Sequence, residues 1–251
     1  MKKSKKYINE VFASVEKQKS IVGPNLSFAA AEAYKLLRTN LIYSMTNEKP
    51  CRIVGITSSL KSEGKSTTAI NIAYTLAEAQ KKVLLIEADM RIPIIGKILD
   101  LDLKKGLSNV LAGVSELNDV VSWSCMGQKT LAVLPAGEIP PNPSELLSSN
   151  RMKSIIDALE SHFDYIIMDL PPVTAVSDSL NVASLIDGMI VVVRQDYCDQ
   201  YSLNETMRQL EFLKVKVLGF VMNATDKPKK RYKKYGRSYG NGYSYYSTNN
   251  K

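Results

Sequence analysis

The sequence predicts an α/β fold, a doubly wound parallel β-sheet with helices on both faces. The first observation is a set of short apolar runs, at 83–86, 165–168 and 189–193, without the polar alternation of a half-exposed strand. Such runs are typical of strands buried on both faces. The second observation is that segments of helix length separate these runs, which indicates parallel strands joined by crossover helices.

Three regions are predicted along the chain. Residues 1–26 are polar and basic and are expected to form a flexible N-terminal arm, and residues 27–225 form the folded domain. Ser27 can cap a helix that runs to about Met45, because its hydroxyl can accept a hydrogen bond from the first free amides. The other helices are predicted at 65–80, 144–161 and 202–214, and the strands at 52–57, 83–86, 131–134, 165–168, 189–193 and 217–222.

The third region, 226–251, is predicted to be disordered. It contains no Leu, Ile, Val or Phe, so it cannot bury enough apolar surface to offset its ordering entropy. It holds eight basic residues and six tyrosines, and the net charge of the 251-residue chain is +8. Basic ends favour solubility or attraction to anions, with a membrane surface or nucleic acid as alternatives.

Composition excludes several classes of protein. A single histidine and three scattered cysteines exclude an imidazole-rich metal site and indicate reduced thiols in a cytosol. No apolar run reaches the roughly 18 residues of a membrane span, and we expect no signal peptide.

Residues 59–67 are predicted to bind the phosphates of a nucleotide. They follow a predicted strand and open a helix, which is the context of a Walker A motif and makes the fold P-loop NTPase-like. Backbone amides and the helix N-terminus would cradle phosphate, Lys65 would reach the outer phosphates, and Ser66 would ligate Mg²⁺. The predicted nucleotide contacts are Ser59, Leu60, Lys61, Ser62, Glu63, Gly64, Lys65, Ser66 and Thr67.

Acidic residues follow two of the predicted strands. Glu87 and Asp89, with Arg91, come directly after 83–86, and Asp169 comes directly after 165–168. Parallel strands end at the same edge of a sheet, so these carboxylates should lie beside the phosphate loop and can hold Mg²⁺. Asp178, a little further along the chain, is expected to support the metal region.

The phosphate loop, the two acidic strand ends and the tyrosine tail together resemble the bacterial tyrosine kinases of capsular and exopolysaccharide synthesis. The resemblance runs from about Glu32 to the C-terminus. It implies an autokinase that uses ATP and Mg²⁺, with Ser66, Asp89 and Asp169 at the metal and Asn223 at the adenine. It implies a catalytic set of Lys65, Glu87, Asp89, Arg91 and Asp169.

The resemblance also implies phosphoacceptors, an assembly and partners. Glu32, Lys35 and Arg38 match an oligomerisation helix, so a ring is expected in which one copy phosphorylates the tail of another. The expected partners are a transmembrane polysaccharide co-polymerase that acts as activator, and a cognate tyrosine phosphatase, with no specific nucleic acid. The expected location is the cytoplasm, at the inner face of the membrane. The implied acceptors are Tyr232, Tyr235, Tyr239, Tyr243, Tyr245 and Tyr246.

Some positions depart from the family pattern. Glu87 replaces an aspartate that would orient the tyrosine hydroxyl, Lys61 and Ser62 replace Pro-Gly, and Lys35 replaces an arginine. The alternative is a nucleotide-switch ATPase of the partitioning or division-site type, a scaffold with weak or no kinase activity. Many of those ATPases carry a second lysine where this chain has Leu60, which favours the kinase. A third possibility is a regulatory module whose tail docks on a membrane or a partner.

Overall fold

The computed structural model describes residues 15–45 and 49–224. A seven-stranded sheet crosses its centre in the order β3-β4-β2-β5-β1-β6-β7. Six strands run parallel, and β3 pairs antiparallel with β4 at one edge. The strands are β1 (Arg52–Ser58), β2 (Val83–Glu87), β3 (Ser122–Met126), β4 (Lys129–Leu134), β5 (Tyr165–Asp169), β6 (Gly188–Arg194) and β7 (Val217–Asn223).

Helices cover both faces of the sheet, which confirms the predicted fold class. Alternate residues of a strand point to opposite faces, so Ile166 packs on one side of β5 and Ile167 on the other. Within the described residues, no helix combines the length and apolar character that crossing a bilayer requires. The α-helices are α1 (Phe28–Ser44), α2 (Lys65–Glu78), α3 (Ile95–Ile98), α4 (Leu107–Leu111), α5 (Pro143–Leu147), α6 (Asn150–Glu160), α7 (Asp178–Asn181) and α8 (Gln200–Phe212).

Two local predictions need correction. The single helix predicted over 144–161 is wrong, because the chain forms α5 and then starts α6 afresh. Ser149 is extended there, and its side chain accepts a hydrogen bond from the amide of Met152. The sequence also does not predict β3, an edge strand in which Trp123 is exposed and Ser124 is buried. The cap at Ser27 is confirmed, since its hydroxyl accepts from the amide of Ala30.

Residues 15–26, which we call the strap, pack against the domain instead of forming a flexible arm. Val22 is buried in the core on the α2 side of the sheet. The backbone amide of Gly23 donates to Oδ1 of Asn71 at 2.8 Å, and Nδ2 of Asn71 donates to the carbonyl of Ile21 at 3.1 Å. Lys19 forms an ion pair of 2.7 Å with Asp100. The strap is therefore fastened to α2, and residues 1–14 of the predicted arm lie outside the described residues.

Asn71→Ala should loosen the strap and lower the free energy of unfolding by about 2 kcal/mol, because it leaves the amide of Gly23 without its buried partner. Urea unfolding measures this change. Asn204→Ala, on an exposed position of α8, is the matched control and should change stability by less than about 0.5 kcal/mol. Equal stabilities of the two variants would contradict the packing of the strap.

Candidate active site

The phosphate loop lies between β1 and α2, and its shape is fixed from inside the protein. Gly64, at the start of α2, has a left-handed φ of 95°. Glu63 is fully buried, and its carboxylate accepts hydrogen bonds from the amides of Leu60 at 2.6 Å and Arg194 at 3.1 Å. The hydroxyl of Ser59 accepts from Thr206. The side chains of Ser59 and Glu63 thus brace the loop through protein contacts.

Lys65 lies between the two acidic strand ends. Its Nζ is 2.8 Å from Oδ2 of Asp89 and 3.2 Å from Oδ1 of Asp169. The hydroxyl of Ser66 donates to Oδ2 of Asp169 at 2.6 Å. These distances confirm the prediction that the acidic residues after β2 and at the end of β5 lie beside the phosphate loop.

Burial and neighbouring charges shift the pKa values of Lys65 and Asp169 in opposite directions. Burial alone would lower the pKa of Lys65, but the carboxylates of Asp169 and Asp89 raise it, so the ammonium stays charged. Burial raises the pKa of Asp169 to about 6, although Lys65 and the Ser66 hydroxyl oppose this shift. Lys65 and the hydroxyl of Ser66 thus favour the ionised form of the Asp169 carboxylate against the effect of burial.

The donor set at Lys65 suits Mg²⁺. The hydroxyl of Ser66 and the carboxylates of Asp89 and Asp169 are hard oxygen ligands, which Mg²⁺ prefers. Among the described residues, no cluster of three or more His, Cys, Asp or Glu side chains could hold a metal alone. Mg²⁺ commonly binds through one or two carboxylates together with water and substrate phosphates, and this site fits that arrangement.

A cavity of about 260 Å³ opens beside Lys65. Its floor is the phosphate loop and the start of α2. Its other walls come from the segments after β2 and β5 and from one residue of the strap. The lining residues are Gln18, Lys61, Ser62, Gly64, Lys65, Ser66, Thr67, Asp89, Arg91, Ile92, Ile94, Pro171, Pro172, Ala175 and Val176.

Arg91 reaches the cavity wall but is held by Asp178. Its Nε and Nη2 lie 2.8 Å and 3.0 Å from the two carboxylate oxygens of Asp178, and Nη2 also donates to the hydroxyl of Ser144. Asp178 is fully buried, which alone would raise its pKa, but the bonds from Arg91 and Ser144 lower it. Asp178 thus supports Arg91, whereas the sequence suggested support of the metal region.

Glu87 does not line the cavity, in contrast to the role that the sequence suggests. Its carboxylate is buried and accepts hydrogen bonds from the amides of Ile94, Ile95, Gly96 and Ala136. The distances are 2.5 Å to Ile95 and 3.2 Å to Ala136. Burial raises the pKa of Glu87, and the four amides act against that shift. Its carboxylate is thus engaged in anchoring the start of α3 and the segment after β4.

Asn223, the predicted adenine contact, lies against the outside of the phosphate loop. Its Nδ2 donates to the carbonyl of Glu63 at 2.8 Å. A Cβ added at Gly64 would lie 1.9 Å from this nitrogen, so the position requires glycine. Contact with adenine stays a prediction.

Other predicted groups lie away from the cavity. Lys35 pairs with Glu32 on α1 at 2.8 Å, and both side chains are nearly half exposed. Arg38 instead donates to the carbonyl of Thr75 near the end of α2, at 2.7 Å, so it packs inward. The six tail tyrosines lie outside the described residues.

The sequence missed Gln18 and the apolar part of the cavity. Gln18 lies in a segment whose composition favours disorder, and the other residues that line the cavity lie far along the chain from it. Ile92 and Ile94 follow Asp89 closely in the sequence. That proximity is a signal from which their place in the cavity wall could have been predicted.

The fold and the site define a P-loop nucleotide-binding domain. Residues 52–218 match a family model described as an AAA domain. The chain is 37% identical to tyrosine-protein kinase YwqD of Bacillus subtilis over 193 residues, which cover 77% of this chain and 80% of YwqD. It is 35% identical to tyrosine-protein kinase CpsD of Streptococcus agalactiae over 210 residues, which cover 83% and 89% of the two chains.

A solved structure agrees with these relatives. The kinase domain of Escherichia coli tyrosine kinase ETK superposes with a TM-score of 0.78 at 32% identity, covering 88% of this chain and 84% of that chain. This chain belongs to the family of bacterial tyrosine-protein kinases.

Glu87→Asp should destabilise the fold and should not raise kinase activity. The shorter side chain withdraws the carboxylate by about 1.3–1.5 Å from the four amides, which costs about 1–3 kcal/mol of unfolding free energy. Urea unfolding and phosphotyrosine formation measure the two effects. Glu116→Asp, at an exposed position, is the control. A gain in phosphotyrosine with unchanged stability would show that Glu87 orients the substrate after all.

Proposed function

We propose that this chain transfers the γ-phosphoryl group of ATP, with Mg²⁺, to tyrosines in the C-terminal tail of a neighbouring copy. The observation that carries the proposal is the convergence of Lys65, Ser66, Asp89 and Asp169 beside the phosphate loop. Phosphoryl transfer requires positioning and charge stabilisation more than covalent chemistry by the protein. These residues supply a cation and oxygen ligands at one point.

Each group has a role in the transfer. Lys65 binds the outer phosphate oxygens and neutralises the charge that develops on them. Mg²⁺, held through Ser66, Asp89 and Asp169, neutralises phosphate charge when bound. The tyrosine oxygen forms a bond to the γ-phosphorus, the bond to the oxygen of ADP breaks, and the tyrosine proton passes to a carboxylate. Asp89 is the carboxylate among the described residues that lines the cavity, so it is the candidate acceptor.

Phosphotyrosine mapping tests the proposal. Full-length protein is incubated with Mg²⁺ and ATP, with and without the cytoplasmic segment of a transmembrane co-polymerase, and is analysed by mass spectrometry. We expect phosphate on the tail tyrosines, and none in Lys65→Met because that variant lacks the phosphate-binding ammonium. Lys81→Met, at an exposed lysine after α2, is the matched control and should behave as wild type.

Two results would contradict the kinase proposal. ATP hydrolysis without tail phosphate, under both conditions, would favour the nucleotide-switch ATPase. Tail phosphate that persists in Lys65→Met would show that the site described above is not responsible.

The wider setting is also a proposal. We assign residues 27–225 to the kinase domain, with the strap packed on it, and residues 226–251 to the phosphoacceptor tail. A transmembrane polysaccharide co-polymerase would recruit the chain to the cytoplasmic face of the membrane and activate it. A tyrosine phosphatase would reverse the modification, and the cycle would regulate capsular or exopolysaccharide synthesis and export. The support is the set of motifs together with membership of the kinase family.

Oligomerisation is expected to depend on the exposed residues of α1. Lys35→Glu should reduce the size of the assembly in sedimentation experiments with little change in the melting temperature, because the side chain is nearly half exposed and its ion pair with Glu32 contributes little to stability. Arg38→Ala should lower the free energy of unfolding by about 1 kcal/mol, because it removes one of the two hydrogen bonds to the carbonyl of Thr75, which keeps the amide of Ala79 as its other donor. Lys153→Glu, on the exposed face of α6, is the charge-matched control. If Lys35→Glu left the size of the assembly unchanged, this residue of α1 would not contribute to the interface between copies.

A further inference from the structure

Arg91 is a cation of the cavity wall that the mechanism above does not use. It lines the cavity together with Lys65 and Asp89, whereas the walls after β2 and β5 are otherwise mostly apolar. The hydrogen bonds to Asp178 raise the pKa of Arg91, and the charge of Asp89, which is also the partner of Lys65, adds to that shift. Two cations therefore lie near the carboxylate of Asp89, where the phosphates of a nucleotide are expected.

The guanidinium of Arg91 has one edge that binds protein and one nitrogen that does not. Nε and Nη2 donate to the two carboxylate oxygens of Asp178, and Nη2 also donates to the hydroxyl of Ser144. Because Asp178 is fully buried, this edge faces the protein interior. Nη1 has no hydrogen-bond partner within residues 15–45 and 49–224, and 40% of the side chain is exposed. The two N–H groups of Nη1 are therefore available to a ligand in the cavity.

The residues that hold the guanidinium are themselves fixed. The hydroxyl of Ser144 donates to Asp178 at 2.5 Å, and the carbonyl of Ser144 accepts from Nδ2 of Asn181 at 3.1 Å. The hydroxyl of the buried Ser179 donates to the carbonyl of Pro171, which lies in the cavity wall. These bonds join the start of α5, helix α7 and the segment after β5 at one point.

Such an arrangement suits a phosphoryl group. A free arginine side chain loses much rotamer freedom when it binds a ligand, but Asp178 and Ser144 have already ordered Arg91. Guanidinium donors match the oxygens of phosphate in geometry and charge. During phosphoryl transfer, charge is spread over three oxygens of the transferred group, and donors that are ordered beforehand stabilise that charge most effectively.

We propose that Asp178 and Ser144 are positioning residues that hold Arg91 so that its Nη1 donates to the γ-phosphoryl oxygens during transfer. This inference rests on the kinase activity proposed above and adds to it a second cation with the residues that orient it. The bond from the tyrosine oxygen to phosphorus forms, the bond to the oxygen of ADP breaks, and the tyrosine proton passes to Asp89. Arg91, Asp178 and Ser144 are unchanged at the end of the transfer.

Transfer in trans tests the role of Arg91. Variants are made in the full chain, and full-length Lys65→Met, which lacks the phosphate-binding ammonium, serves as the acceptor. Arg91→Ala should slow phosphotyrosine formation about 100- to 1,000-fold, the usual effect of removing a donor that stabilises a transition state. Its affinity for a fluorescent ATP analogue should change by less than about 3-fold, because the donor acts on charge that develops only during transfer.

A double-mutant cycle tests whether Asp178 acts through Arg91. Asp178→Asn keeps the shape of the side chain but removes its charge and one acceptor oxygen, and should slow transfer about 10-fold. In the Arg91→Ala background the same change should alter the rate by less than about 2-fold, because no guanidinium remains to be oriented. Ser144→Ala leaves the charge pair intact, so it is the milder second variant and should slow transfer about 2- to 5-fold.

Asp187→Asn is the matched control for the loss of a buried carboxylate charge. Asp187 is 9% exposed, pairs with Lys49 at 2.5 Å and accepts from the amide of Ile53 at 2.9 Å. It lies where β1 and β6 begin, at the end of the strands opposite to the cavity. Its transfer rate should stay within about 2-fold of wild type, since no cavity residue depends on it. A loss as large as that in Asp178→Asn would mean that both variants act through stability, and would overturn the inference.

Other results would overturn it in distinguishable ways. Transfer at the wild-type rate by Arg91→Ala would show that the ion pair with Asp178 only supports the fold. An equal loss of ATP affinity and transfer rate would assign Arg91 to binding of the nucleotide before transfer. Additive effects in the cycle would reject the positioning role of Asp178. A wild type that binds ATP but forms no phosphotyrosine would reject the kinase function and this inference together.

Discussion

The buried ion pairs of Lys65 are the interaction on which the site depends. Asp169 ends β5, and Asp89 lies two residues beyond the end of the neighbouring parallel strand β2. Nζ of Lys65 is 2.8 Å from Asp89 and 3.2 Å from Asp169, and without a cation between them two like charges at this point would repel each other. Lys65, at the start of α2, supplies that cation. The pairs therefore join the ends of β2 and β5 to the phosphate loop, and the same electrostatic requirement suits Mg²⁺ and the phosphates of ATP. The ion pairs of Lys65 therefore stabilise the ends of β2 and β5 and also arrange the groups that suit a nucleotide.

Glu87 and Asp169 show how sheet register divides roles between similar residues. They are paired in register on adjacent strands, so their side chains point to the same face. Asp169 meets Lys65 and Ser66 at the start of α2, whereas Glu87 meets the amides at the start of α3. The two positions are separated by one strand spacing, about 4.8 Å. That spacing is enough to place the carboxylate of Asp169 at Lys65 and Ser66 and that of Glu87 at the amides of the scaffold.

Sequence reasoning succeeded where a local pattern fixes geometry. The loop at 59–67 and the strand ends at Asp89 and Asp169 follow from motif spacing and from the common edge of parallel strands. It failed where the position of a side chain is determined by residues that are distant in the sequence. The carboxylate of Glu87 is oriented by backbone amides that include the amide of Ala136. The strap, which carries Gln18, is fastened by Asn71. Both partners lie far along the chain from the residues that they position. Edge strand β3 exposes Trp123, so its pattern lacks the apolar run that identifies the buried strands.

The division of the cavity bears on the choice between water and tyrosine as acceptor. The charged part, built on Lys65 and Asp89, suits a phosphate with Mg²⁺ and does not by itself distinguish a kinase from an ATPase. The apolar part can, because walls such as Ile92, Ile94 and Pro171 offer water few hydrogen-bond partners and offer an aromatic ring a large contact area. Specificity for tyrosine would then come from the segments after β2 and β5, on a phosphate site of general type.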